Sequence, residues 1–144
     1  MCTHPIRWSL VLLIVAVAGC HGSHFTSPIP SVDEVAKVHL TRGQFLGRPE
    51  NKSKDFCEAT FTERADISPV LDWLAAIDWS QEGMDLTPVT LPQPDGGITL
   101  TTKDGATLDF GYYWDGRIIH GRANRLYKVA DMSGLRKITD KACK

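Results

Sequence analysis

Hydrophobic positions recur with two different periods along this chain. Val35 to Leu40 alternates, with Ala36, Val38 and Leu40 on one side, the two-residue period of a half-buried strand. Residues 41–54 carry Gly43, Gly47, Pro49 and Asn51 and read as a loop. Alternation resumes from Phe56 to Thr62, where Cys57, Ala59 and Phe61 oppose Glu58, Thr60 and Thr62. Two antiparallel strands joined by a long connection are the simplest assembly. The period then changes. Ile67, Val70, Leu71, Leu74 and Ile77 fall at helical spacing behind Asp66 and Ser68, both cap-forming residues, with Pro69 suited to a first turn. The stripe predicts an amphipathic helix ending near Gly83. Trp73 and Trp79 lie off it, either along the sheet edge or as surface contacts.

Pro88, Pro92 and Pro94 make residues 87–94 an extended crossing segment. A dense run of strands follows. Ile98 to Thr102 leads to an Asp104-Gly105 turn, and Ala106 to Trp114 places Ala106, Leu108, Phe110, Tyr112 and Trp114 on one face. Asp115-Gly116 is a second hairpin turn, of the kind that favours positive φ at both positions. Arg117 to His120 returns, residues 121–124 turn, and Arg125 to Val129 comes back. Asp131 then caps a closing helix with Met132, Leu135 and Ile138 as its apolar stripe and Gly134 weakening it. The order is ββαβββ(β)α, which predicts an α+β fold: one antiparallel sheet with two helices packed on one face. The Thr101-Thr102-Lys103-Asp104-Gly105, Trp114-Asp115-Gly116 and Leu126-Tyr127-Lys128-Val129 runs before a closing helix resemble the β-meander of many small exported bacterial domains of unknown function. That resemblance implies a fold class and no activity.

Ahead of this domain stands a leader. Arg7 supplies a positive start, and Trp8 to Val17 is an apolar run too short to span a hydrocarbon core of ~30 Å comfortably. Val17-Ala18-Gly19-Cys20 resembles the lipobox of bacterial lipoprotein signal peptides, with Val17 where leucine is commoner. The resemblance implies a signal peptide over residues 1–19, cleavage before Cys20, diacylglycerol on its thiol and acylation of the new amino terminus. Several acyl chains anchor stably where one does not. An ordinary secretory leader or an uncleaved anchor are the competing readings. His21, in place of an aspartate, favours the outer membrane over the cell membrane where there is one; in either case the domain faces the periplasm or the exterior. Residues 20–32 read as the lipidated cysteine and a flexible tether, and 33–144 as one domain.

The leader changes the reading of the cysteines. Of the four, Cys2 leaves with the signal peptide and Cys20 is consumed by lipid. Cys57 and Cys143 remain as an even pair in an oxidising compartment, and a disulfide between them is expected. No CxxC or CxxH spacing favours a metal site, and His21 and His24 on a tether read as solvated.

Composition is that of an ordinary globular chain, with 144 residues, 42% hydrophobic and 23% charged, and a net charge of -1 that argues against a nucleic-acid partner. The charge is unevenly placed. Residues 31–95 hold six basic and twelve acidic side chains, and residues 96–144 hold nine and five. Either the two halves attract each other on folding, or the second half offers a basic face to an anionic partner. Arg117, Arg122 and Arg125 surround His120 in the last hairpin, and Tyr113 stands beside them as an aromatic of the kind found at contact surfaces. Arginine forks suit carboxylate and phosphate, whereas a solvated hairpin has the same composition. Asp109 on the adjacent strand allows a His120–Asp109 acid–base pair to be drawn.

No phosphate loop, dinucleotide fingerprint, nucleophile elbow or zinc-protease motif is present, and no motif implies a cofactor or a metal. The expectation is a membrane-tethered, non-enzymatic binding module of the cell envelope. Its partner would be an envelope protein or anionic polymer, met through an open sheet face or the basic hairpin. Two alternatives stand beside it: a small inhibitor presenting one of its hairpins to an enzyme, and a minor hydrolase using His120.

Overall fold

The structure is a computed structural model, which describes residues 27–43, 53–87 and 89–144. The expected signal peptide over residues 1–19, Cys20, His21 and His24 of the expected tether, and most of the first loop lie outside the described residues. Seven strands and two helices follow in the order β1 (Val35–Arg42), β2 (Cys57–Phe61), α1 (Arg64–Ala75), β3 (Met84–Asp85), β4 (Gly96–Thr102), β5 (Thr107–Tyr113), β6 (Arg117–His120), β7 (Arg125–Lys128) and α2 (Ser133–Ala142). The strands form one antiparallel sheet in the order β2-β1-β4-β5-β6-β7-β3. The α+β class and the meander are as the pattern predicts. The element order differs by the two-residue strand β3, too short to leave a periodic signal, which pairs Met84 with Leu126 at the sheet edge.

Strand alternation separates two faces. The register aligns Leu40, Ile98, Phe110 and His120 in one row and Val38, Leu100 and Leu108 in another. These rows face the helices. With Ile67, Val70, Leu71, Leu74 and Leu135 they form one hydrophobic core. In β1 a bulge between Val35 and Lys37 resets the alternation, so Val35 is buried and Ala36, expected inside, is exposed. Packing also begins before residue 33: Ile29 and Val32 sit against the core.

Helix α1 stops at Ala75, well short of Gly83. It starts at Arg64, so Pro69 lies inside it rather than in its first turn. Past its end the chain turns inward, and Trp79 is 4% exposed. The Trp79 indole N–H donates to the carbonyl of Leu74 at 2.9 Å, which satisfies one of the last helical carbonyls that have no partner within the helix. Trp79 is therefore a core residue, not a surface contact. Trp73 stays at the margin, donating to the Asp131 carbonyl at 3.1 Å and bridging α1 to the start of α2. Asp131 in turn accepts from the Ser133 amide at 2.8 Å.

The β4–β5 and β5–β6 hairpins use three-residue loops. Tyr113 pairs with Arg117, leaving residues 114–116 as the loop, with φ positive at Gly116 and not at Asp115. A type I turn closed by one left-handed residue accounts for this, and Gly105 plays the same part between β4 and β5. The Cys57–Cys143 disulfide is present, with Cα atoms 5.7 Å apart, and ties the edge strand β2 to the end of α2.

Candidate functional site

The residues singled out around the last hairpin do not share a surface. Alternation puts Arg117 and Tyr113 on the face away from the helices, and His120 and Arg125 on the helix face. Tyr113, expected as an exposed aromatic, is 4% exposed because the crossing segment lies over it: its hydroxyl donates to the Pro92 carbonyl at 2.6 Å. The sheet face opposite the helices is thus covered at that end rather than open. Arg117 lies over the Tyr113 ring at 4.5 Å, and its guanidinium is held by Asp115 at 2.6 Å. Arg122 and Arg125 are exposed, and Arg125 reaches the Gly83 carbonyl at 3.4 Å.

His120 is buried, 6% exposed, in an aromatic cluster with Trp79, Phe110 and Tyr127. Its Nδ1 accepts the Ala123 amide at 3.2 Å. Asp109 points to the opposite face and accepts from the Thr99 hydroxyl at 2.7 Å, so the His120–Asp109 pair is not assembled. Burial pushes the His120 pKa below its ordinary value of 6.5. A base whose folded pKa is lowered adds stability above its unfolded pKa and loses it as pH falls through that value. The thermal midpoint is expected to fall between pH 7.5 and 5.5, and His120→Phe, which fits the aromatic cluster without a proton to gain, should flatten that slope. A parallel pH dependence in the variant would show that His120 is not its source.

A different constellation forms at the end of the sheet where β1 finishes. Arg42 continues the inward row after Val38 and Leu40, but at a point where the core ends, so its stem is packed and its head is at the surface. Its guanidinium meets Asp140 of α2 at 2.9 Å, and its side chain is 25% exposed. The Arg42 Nε–H is buried and has no hydrogen-bond partner among the described residues, a condition that costs about 1–3 kcal/mol when unrelieved. Opposite Arg42, Gly96 leaves room for Tyr112, whose hydroxyl crosses the strand to the Thr41 carbonyl at 2.8 Å. Burial pushes the Tyr112 pKa up, which keeps this hydroxyl a donor.

Asp95 stands at the entry to β4 and is fixed through its backbone and side chain. Its amide donates to the Tyr112 carbonyl, its carbonyl accepts from Gly43, and its carboxylate accepts the Trp114 amide at 2.8 Å. Arg136, one turn before Asp140 on α2, lies over the Trp114 ring at 4.8 Å. Arg42, Asp55, Asp95, Trp114, Arg136 and Asp140 line a cleft of about 500 Å³, within the size range of small-molecule sites. Two guanidiniums, three carboxylates and an indole meet there, beside the disulfide: Cys57 pairs with Arg42 across β1 and β2, and Cys143 ends the helix that carries Asp140. Sequence reading missed this site. The available signal was the inward parity of Arg42, a charged residue where alternation calls for an apolar one.

Among the described residues no three His, Cys, Asp or Glu side chains converge as a metal ion requires, and no helix is long and apolar enough to cross a membrane. The chain matches no family model, no curated protein and no solved structure.

Proposed function

We propose that this chain is a lipid-anchored protein of the bacterial cell envelope whose domain binds a ligand in the Arg42–Asp95–Trp114 cleft. The observation that carries the reading is where the cleft sits. Pro30, Asp33 and Glu34, where the expected tether runs into the domain, lie beside the Thr102–Ala106 hairpin at the start of β1, whereas the cleft lies at its other end. Eight strand residues span roughly 25 Å at ~3.3 Å each. A tether from Cys20 enters the domain at the end opposite the cleft, so an anchored domain can present the cleft to the periplasm or the exterior. The disulfide agrees with an oxidising compartment. The basic hairpin is a poorer surface, since its charges divide between two faces and Arg117 is already paired.

Labelled palmitate should enter the wild-type chain in growing cells and fail to enter Cys20→Ser. Label in the serine variant would remove the anchor. A photo-crosslinking amino acid in place of Ser53, at the rim of the cleft, should give adducts in intact cells that the same amino acid in place of Lys37 does not. Identical adducts from both positions would count against the cleft.

A further inference from the structure

We infer that the cleft takes a small zwitterion, a free amino acid or a short peptide, holding its carboxylate with Arg42 and Arg136 and its ammonium against Asp55 and Asp95. The inference rests on the cleft being a binding site and adds the chemical class of the ligand. It follows from which charges the protein leaves unused. The Arg42 guanidinium gives Nη1 to Asp140 and its buried Nε–H has no acceptor among the described residues; with a quarter of the side chain exposed at the cleft, the rest of the head group is what a ligand can reach. A carboxylate oxygen is the acceptor that a guanidinium edge fits best, because the fork geometry matches two oxygens. Arg136 adds a second guanidinium, exposed over Trp114 and without a carboxylate at ion-pair distance among the described residues.

The acidic side decides the rest. Asp55 is exposed at the cleft and pairs with no cation among the described residues, and Asp95 spends its carboxylate on one backbone amide, which leaves acceptor capacity. A simple anion such as phosphate would meet these carboxylates as well as the arginines. A simple cation would meet the arginines. Only a ligand carrying both signs is complementary to both, and complementarity of this kind selects the partner. Trp114 supplies an apolar plate for a side chain between the two ends.

The test is a titration of the ¹⁵N-labelled full chain in detergent micelles, reading the arginine Nε–H and tryptophan indole signals. The probes are free phenylalanine, the dipeptide alanyl-phenylalanine, its N-acetyl form, its carboxy-terminal amide, and inorganic phosphate. The free amino acid or the free dipeptide should move the Arg42 Nε–H and Trp114 signals, and which of the two binds tighter separates the two sources of the zwitterion. Blocking either end should weaken binding about tenfold or more. Arg136→Ala, at an exposed position, should weaken the free forms about tenfold and leave the amide unaffected. Asp95→Asn should weaken the free forms and spare the N-acetyl form. Blocked forms that bind as well as the free ones would overturn the assignment. Phosphate alone moving these signals would also overturn it while leaving the cleft a binding site. Silence from every probe at millimolar concentration would overturn it too, and the anchor is decided separately by palmitate.

Discussion

Replacing Cys57 and Cys143 together with serine is expected to lower the stability of the domain by about 4–5 kcal/mol, the chain-entropy value for a crosslink across 86 residues. For a domain of this size that is a fall in thermal midpoint of roughly 15–20 °C. The bond joins the edge strand to the last helix, two elements that otherwise approach through the partly buried Phe61, Ile138 and Ala142. Its loss should also be felt in the cleft, because Cys57 lies across from Arg42 and Cys143 follows Asp140 by less than one turn. Calorimetry of the oxidised wild type and the double variant measures the effect. A midpoint unchanged within a few degrees would mean that the tertiary contacts alone hold β2 to α2.

Gly96→Ala is the second large effect. A methyl group at this position falls inside hard contact with the Tyr112 hydroxyl and with the Thr41 carbonyl oxygen, one of them backbone on the neighbouring strand. Neither can yield cheaply, since they are hydrogen-bonded to each other and Tyr112 is fully buried. The cost is expected at about 3 kcal/mol or more, at the upper end for overpacking. Tyr112→Phe removes only the hydrogen bond and should cost about 1–2 kcal/mol. Combined, the two should cost close to their sum, because removing the hydroxyl leaves the ring carbon Cζ and the Thr41 carbonyl oxygen still inside hard contact with the methyl. Urea unfolding of the three variants checks this, and a Gly96→Ala midpoint equal to wild type would show that the strand shifts to accommodate the methyl.

The two predictions concern features of different legibility. The disulfide could be expected from the sequence once Cys2 was assigned to an expected signal peptide and Cys20 to lipid, leaving Cys57 and Cys143. The Gly96 contact could not, because nothing in the order of residues says that Thr41 and Tyr112 flank it. The same divide runs through the site. The Asp-Gly turns and the alternation of β4 to β7 identified a hairpin rich in arginine. They left open which side each arginine takes, and the three-residue loop and the β6–β7 register send Arg117 and Arg125 to opposite faces.

By itself the sequence determined the elements whose signal is local: strands from a period of two, the stripe of α1, turns at Gly105 and Gly116, and a covalent pair from the count of cysteines. Tertiary structure decided what depends on distant partners. Helix α1 ends at Ala75 because Trp79 gains more by entering the core beneath Phe110 and His120 than by extending a stripe it does not belong to. Tyr113 is buried because a proline-rich segment crosses over it. Arg42 becomes a cleft residue because the core stops where the inward row of β1 does not, so a position that must face inward meets water, Asp140 and an open site instead of packed side chains. Alternation states that a residue points inward; only the assembled layers state whether anything is there to bury it.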